Sequence, residues 1–144
     1  MNYINFFFEE TNIFEFPEEI IKDQILKIIS DVSKYCGEIS VIFCKDEYLL
    51  NLNKKFLKHD YYTDIITFNY SEGDHIGGDL FISVERVLDN AVKFEVSFIY
   101  ELARVIFHGV LHLIGYGDNT DEEKFKMRKM EDRYLNGAKL KIVD

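Results

Sequence analysis

Two histidines and an aspartate in the last third of the chain have the types and the spacing of metal ligands. His108 and His112 stand four residues apart in a stretch predicted to be helical. Four residues turn an α-helix by about 400°, so both imidazoles lie on one face. Gly115 permits the positive φ that ends such a helix, and the turn brings Asp118 back towards the imidazoles. Asp118 follows His108 by ten residues, which is the offset of the third ligand in HExxHxxGxxH metal sites.

This ligand set indicates a catalytic rather than a structural metal. Three protein ligands leave a fourth coordination position open, which is typical of catalytic zinc sites. Zinc lowers the pKa of a bound water to about 7 and so produces a nucleophile at neutral pH. In HExxH peptidases the residue after the first histidine is the general base Glu, whereas here it is Gly109. The spacing therefore predicts one zinc ion per chain and disfavours a peptidase.

The composition is that of one globular domain. The chain has 144 residues, of which 47% are hydrophobic and 30% charged, so we expect a single metallohydrolase domain spanning 1–144. Seventeen basic and twenty-six acidic residues give a net charge of −9. That balance excludes a polybasic nucleic-acid coat but allows a local basic groove. Cys36 and Cys44 are too few for a secreted disulfide scaffold. Since no apolar run approaches the ~18 residues of a membrane span, we expect no membrane partner and a cytoplasmic location.

Hydrophobic spacing and capping signals predict the elements that position these residues. Strands are predicted at 4–8, 39–44, 64–70 and 77–84, the last two forming a hairpin, with Gly78 and Asp79 as a bulge or turn. Five helices are predicted: from Pro17 to a stop at Gly37, from an Asp46 cap to about Phe56, a short one from Glu85, from a Ser97 cap to Ile114, and 121–135 after a Thr120 cap. This order predicts an α+β fold, with a single mixed sheet of about four strands covered by helices and the metal site at the end of a central helix.

A family resemblance covers nearly the whole chain. Residues 108–118 (HGVLHLIGYGD) resemble the HGxLHLxGYDH signature of the YbeY proteins, which are bacterial endoribonucleases of ribosomal RNA maturation. Leu52-Asn53 followed by Thr63–Phe68 resembles the LN…TDVLSF segment of that family, and Ile76–Ser83 resembles its LGDIxIS segment. Each piece is short, but their order and combination are specific.

The resemblance implies a zinc-dependent hydrolase that cuts single-stranded RNA. It implies action on precursor ribosomal RNA, near the 3′ end of the small-subunit RNA, a part in ribosome quality control, and the ribosome or its proteins as partners. His108 and His112 carry over as the first two metal ligands, while Asp118 stands where most members have a histidine. A gapped alignment would instead make Asp118 the acidic residue before the third ligand, but the ten-residue offset favours the ligand interpretation. Because a carboxylate is harder than an imidazole, metal preference can shift.

A second departure from the family concerns the phosphate contact. The family usually has an arginine after the LN segment, and spacing puts Leu57 at that place. We expect Lys58 or Lys55 to supply the missing positive charge. A lysine is a point charge rather than a bidentate fork, so it is an imperfect replacement. The alternative is that Lys54, Lys55 and Lys58 form a solvated helix face.

Three functions stay open from the sequence. The first is a metal-dependent endoribonuclease, for which the acidic net charge predicts a basic groove confined to one face. The second is a non-catalytic, metal-stabilised, ribosome-associated factor, suggested by the missing arginine and the variant third ligand. The third is another metallohydrolase such as a peptidase, to which Gly109 is the main obstacle.

Overall fold

The computed structural model describes residues 3–57 and 63–144, and these residues form the predicted α+β fold. The strands are β1 (Ile4–Phe8), β2 (Tyr35–Cys44), β3 (Ile65–Asn69) and β4 (His75–Ser83). The helices are α1 (Glu18–Asp31), α2 (Asp46–Leu52), α3 (Val84–Lys93), α4 (Phe98–Leu113) and α5 (Asp121–Ala138). A π-helical turn, Asn53–Leu57, continues α2.

The four strands form one mixed sheet in the order β1-β2-β4-β3. β1 and β4 both run parallel to β2. β3 pairs with β4 in the antiparallel direction, with Ile65 opposite Ile82 and Asn69 opposite Gly78. The predicted hairpin and the predicted mixed sheet are therefore confirmed.

Helix α4 is the central element of the fold. It contacts α1, α3 and α5 as well as strands β3 and β4, so it is apolar around most of its circumference. Leu102, Ile106 and Val110 of α4 are fully buried, as are Leu80 and Ile82 of β4. His108 and His112 thus lie on a helix that is packed against other elements on most sides, which fixes their backbone.

The predicted helix stop at Gly37 is wrong. Helix α1 ends at Asp31, and Ser33 turns the chain with a φ of 59°. The strand then begins early because the Tyr35 amide donates to the Asp74 carbonyl. Gly37 lies inside β2, where an added Cβ would stand 3.0 Å from the Ile76 carbonyl oxygen. Glycine is used there for a close approach of two strands.

The predicted cap at Asp46 is also wrong. Lys45 is the N-cap of α2, whereas the predicted end near Phe56 is confirmed, because the helical stretch continues through the π-helical turn to Leu57. The Asp46 amide donates to the Glu85 carboxylate, and the Asp46 carboxylate accepts from Ser83 Oγ and from Arg86 Nε. Asp46 therefore ties α2 to α3, a tertiary role that overrides its local capping preference.

Gly78 and Asp79 form neither a bulge nor a turn. Both lie in the regular part of β4, and the irregularity in the β2–β4 pairing falls between Cys36 and Ile39 of β2. An added Cβ at Gly78 would stand 2.3 Å from the Phe68 carbonyl oxygen and 2.8 Å from Leu113 Cδ2. Gly78 is thus explained by the lack of space for a side chain between β3 and the end of α4, and not by a backbone conformation that requires glycine.

The starts of the two C-terminal helices are confirmed. Ser97 caps α4 by accepting a hydrogen bond from the Tyr100 amide. Thr120 and Glu123 form a capping box at the start of α5, each side chain accepting from the other residue's amide. These caps fix where α4 and α5 begin, and so fix the register of the site residues they carry.

A hydrogen bond between α5 and α1 gives a stability prediction. The Tyr134 hydroxyl donates to Asp31 Oδ2 over 2.7 Å, and this bond lowers the pKa of the Asp31 carboxyl. Tyr134→Phe should lower the free energy of unfolding at pH 7 by about 1 kcal/mol. Because the folded-state pKa is the lower one, this stabilisation is present above the unfolded pKa of about 4 and is lost as pH falls through the folded value.

Urea unfolding of wild type and Tyr134→Phe at pH 7 and at pH 3 measures this effect. We expect the difference between the two proteins to shrink at pH 3. Tyr35→Phe, at an exposed tyrosine, is the control and should change stability little at either pH. A difference that stays constant with pH would show that the Asp31 charge contributes nothing.

Candidate metal centre

The structure brings the three predicted ligand residues together at the end of α4. His108 Nε2 and His112 Nε2 are 2.9 Å apart. Asp118 Oδ2 is 3.2 Å from the first and 3.3 Å from the second. Gly115 has a φ of +109° and turns the chain back towards α4, as its position predicts. Ligands on a tetrahedral zinc with bonds of 2.0–2.1 Å stand about 3.3 Å apart, so the spacing fits such an ion.

Hydrogen bonds at the far side of each ring orient both imidazoles. His108 Nδ1 donates to Glu131 Oε2 over 2.7 Å, and His112 Nδ1 donates to the Tyr116 carbonyl over 2.8 Å. Both partners are acceptors, so the protons lie on Nδ1 and the Nε2 lone pairs point into the site. Two lone pairs and a carboxylate oxygen at this separation repel one another unless a cation lies between them. The donor set therefore fits a metal ion.

Behind His108 lies a buried ionic network that sequence reasoning missed. Arg104 Nη1 donates to Glu131 Oε1 over 3.0 Å, and Arg104 also pairs with Glu101. Glu101 is 1% exposed and Glu131 is 2% exposed. Burial alone would raise the pKa of the Glu131 carboxyl, but the His108 hydrogen bond and the Arg104 charge outweigh it and hold that pKa below its usual value. The carboxylate is thus kept ionised beside the imidazole.

A signal for this network was present in the sequence. Glu101, Arg104, His108 and His112 follow one another at steps of three, four and four residues, which places them along one side of α4. Glu131 belongs to α5, which contains many other charged residues, so the sequence alone does not single it out. Only the packing of α5 against α4 shows which of those acidic residues reaches His108.

The triad forms one end of a cleft of about 470 Å³. The remaining lining residues come from the π-helical turn, from the two residues before β3 and from β3: Asn53, Leu57, Thr63, Asp64, Ile65, Ile66, Thr67 and Asn69. Asn69 Nδ2 donates to the Leu113 carbonyl over 3.3 Å, which fastens β3 to the last turn of α4. The cleft is therefore lined mostly by polar side chains, with Leu57, Ile65 and Ile66 as the apolar ones.

No lysine or arginine of the described chain lines this cleft. Leu57, at the place of the family arginine, lines it instead. Lys54 and Lys55 lie on the exposed side of the π-helical turn, with Lys55 Nζ 5.2 Å from the centre of the Phe56 ring. Lys58 lies outside the described residues, so its phosphate contact stays a prediction.

Gly109 faces the sheet rather than the cleft. An added Cβ there would stand 2.7 Å from Ile65 Cδ1 and 3.0 Å from Leu80 Cδ2. A glutamate at this position would crowd Ile65 and Leu80, so the packing here is built around a glycine. The peptidase alternative is therefore disfavoured by packing as well as by residue type.

The fold is a mixed sheet packed against a central helix, and the C-terminal end of that helix carries a His-His-Asp cluster beside a cleft. These features define a class of protein with a candidate metal centre at the end of a helix. A family model described as Endoribonuclease YbeY matches residues 6–139. The chain belongs to the YbeY family, and this membership supports an RNA-cleaving function.

Curated relatives cover most of the chain. The endoribonuclease YbeY of Karelsulcia muelleri is 45% identical over 140 residues, covering 97% of this chain and 99% of the relative. That of Flavobacterium psychrophilum is 50% identical over 111 residues, covering 77% of this chain and 79% of the relative. A solution structure of a Thermotoga maritima protein superposes with a TM-score of 0.64 at 25% identity, covering 94% of this chain and 88% of that one. The fold is thus shared with an experimentally solved protein.

Within the described residues, no single helix is long and apolar enough to cross a membrane. Helices α3 and α4 reach that length and apolar character only when taken together, and the chain bends by 117° between them.

Proposed function

We propose that this chain is a zinc-dependent endoribonuclease that cleaves single-stranded RNA in ribosomal RNA maturation. It holds one zinc ion through His108, His112 and Asp118. It acts in the cytoplasm on precursor ribosomal RNA near the 3′ end of the small-subunit RNA and in ribosome quality control, together with the ribosome or its proteins, and residues 1–144 form its single catalytic domain. The convergence of three donor atoms within 2.9–3.3 Å at a polar cleft carries the proposal.

The residues around the centre have distinct tasks in this reaction. A bound zinc ion supplies Lewis acidity towards the phosphodiester and towards water. Glu131 and the Tyr116 carbonyl hold the two imidazoles in the tautomer that presents Nε2. The apolar side of α4 excludes water from behind the site, which strengthens electrostatic interactions within it. The polar lining of the cleft offers hydrogen bonds to ribose and base.

The size of the cleft supports a preference for unpaired RNA. A volume of about 470 Å³ lies in the range that holds one small ligand. An unpaired nucleotide, whose base can splay away from its neighbours, meets that limit, whereas a base-paired helix does not. We expect the polar side chains at the cleft to contact the base edges of such a splayed nucleotide.

One observation favours the non-catalytic alternative, in which metal stabilises a ribosome-associated factor. Leu57 replaces the family arginine, and no described lysine or arginine lines the cleft. Structural zinc contributes folding free energy directly. A chelator should therefore unfold such a factor, whereas the enzyme proposed here should lose cleavage and keep its fold, because its core is extensive without the metal.

The proposal is tested by comparing His112→Ala with His75→Ala. His75 is an exposed histidine at the start of β4 and lines no part of the cleft, so it is a matched control. We expect wild type and His75→Ala to bind about one zinc per chain and to cleave single-stranded RNA. His112→Ala should do neither while its circular dichroism stays native. Metal analysis, a cleavage assay and far-UV spectra measure these outcomes.

Two results would contradict the proposal. Zinc binding without cleavage, also in the presence of ribosomal subunits, would favour the structural factor. A well-folded wild type that binds no metal would remove the mechanism and leave two facing imidazoles without a role.

A further inference from the structure

A line of polar side chains runs along the side of α4 that faces α5. It consists of Glu101, Arg104, His108 and His112, which we call the polar seam. The rest of α4 is almost entirely apolar and buried. Glu131 of α5 lies between Arg104 and His108 and completes the line. The polar seam therefore connects the metal centre to the buried beginning of the helix.

The contacts along the polar seam are complete and specific. Arg104 pairs with both oxygens of the Glu101 carboxylate, through Nε and Nη2. Its remaining terminal nitrogen, Nη1, donates to Glu131 Oε1 over 3.0 Å. The other oxygen, Glu131 Oε2, accepts from His108 Nδ1 over 2.7 Å. Each oxygen of Glu131 thus has its own partner, and one partner is a candidate metal ligand.

Stability does not explain this arrangement. Removing two carboxylates and a guanidinium from water carries a desolvation penalty for each ion, and apolar residues of similar volume often stabilise a core as well or better. Glu101 and Glu131 are 1% and 2% exposed, so both bear this penalty nearly in full. Since apolar residues could fill the same space without this penalty, the ionic network is better explained by its effect on His108.

We propose that Glu101, Arg104 and Glu131 form a positioning relay that sets the zinc affinity of the site through His108. Arg104 holds the Glu131 carboxylate in place and balances its charge. Glu131 fixes the ring orientation of His108 and its Nδ1–H tautomer, so that the Nε2 lone pair points into the site. Glu101 holds the arginine fork in the plane that reaches Glu131. The relay rests on the proposed function, since it assumes that the triad binds metal.

The two histidines differ in a way that makes the relay selective. His112 has a neutral backbone carbonyl behind it, whereas His108 has a carboxylate. A carboxylate partner raises the basicity of a metal-bound imidazole more than a neutral oxygen does. The relay should therefore act on metal affinity through His108 alone.

Zinc affinity, measured by competition with a chromophoric chelator, tests the relay. We expect Glu131→Gln, whose single amide oxygen can accept from His108 or from Arg104 but not from both and which loses the charge, to bind zinc about 10-fold more weakly. The triple variant Glu101→Leu, Arg104→Met, Glu131→Leu should bind about 100-fold more weakly, while the metal-free protein unfolds at the same urea concentration as wild type or a higher one.

Arg128→Met is the matched control. Arg128 Nη1 is 3.6 Å from the same Glu131 Oε1, but its side chain is 55% exposed, so its loss should change zinc affinity by less than about 2-fold. Equal zinc affinity in wild type and Glu131→Gln would overturn the relay and leave the metal centre standing. Lost affinity in Arg128→Met to the same extent would also overturn it, since general electrostatics would then suffice. A wild type that binds no zinc would overturn the centre and the relay together.

Discussion

Asp118→Ala should remove zinc from the purified protein and lower the rate of RNA cleavage about 1000-fold or more. Asp118 Oδ2 is the third donor atom, within 3.3 Å of both Nε2 atoms, and two imidazoles alone leave a weak, open site. Lewis-acid stabilisation of the reacting phosphate is worth several kcal/mol, and each 1.36 kcal/mol corresponds to a factor of ten in rate. Metal analysis and single-turnover cleavage of an unstructured RNA measure both effects.

Asp118→His is the informative partner of that variant. It restores the third histidine that most members of the family are expected to have, so zinc binding should persist. Imidazole favours zinc over harder ions such as Mn²⁺ and Mg²⁺, whereas carboxylate tolerates them. We therefore expect Asp118→His to lose more activity than wild type when Mn²⁺ replaces Zn²⁺. Full zinc occupancy in Asp118→Ala would show that Asp118 is not a ligand, as the gapped alignment implies.

The candidate site was predictable to the extent that it depends on one continuous stretch. His108, His112, Gly115 and Asp118 all lie within eleven residues, and helix periodicity with one glycine turn dictates their convergence. Glu131 belongs to another helix, and its contact with His108 depends on how α5 packs against α4. The hydrophobic periodicity of one helix contains no information about how that helix packs against another.

The errors in the fold have the same origin. Gly37 and Gly78 are typical signals for a helix end or a turn, but both serve close packing inside strands. Asp46 is a typical helix cap, but its carboxylate binds Ser83 and Arg86 instead. In each case a residue with a strong local preference is used for a contact between elements distant in sequence, which local rules cannot anticipate.

The described residues at the cleft offer little positive charge to a phosphate. The described acidic residues at the cleft are Asp64 and Asp118, and no described lysine or arginine lies there. A zinc ion would offset the charge of Asp118 and attract a phosphate. We expect the remaining positive charge to come from Lys58 or from a bound partner. If a bound partner supplies this charge, RNA binding by the chain alone should depend only weakly on salt concentration, because few counterions are released.

Gly78→Ala should lower the free energy of unfolding by about 3 kcal/mol, a large part of the roughly 5–15 kcal/mol that stabilises a domain. The added Cβ would stand 2.3 Å from the Phe68 carbonyl oxygen, which is backbone and cannot rotate away. Relief requires β3 to separate from β4, and β3 carries Asn69, whose side chain holds the Leu113 carbonyl at the end of α4. The substitution should therefore weaken zinc binding as well as stability.

Gly73→Ala is the matched control in the same hairpin. Gly73 has a φ of +57° and no atom within 4 Å of an added Cβ, so its substitution should cost only the 1–2 kcal/mol of a left-handed backbone, with zinc affinity unchanged. Urea unfolding and zinc titration of both variants separate crowding from backbone conformation. A smaller loss in Gly78→Ala than in Gly73→Ala would show that the hairpin yields at little cost. The end of α4 would then be held by Asn69 and by the turn at Gly115 rather than by the fit of β4 beneath it.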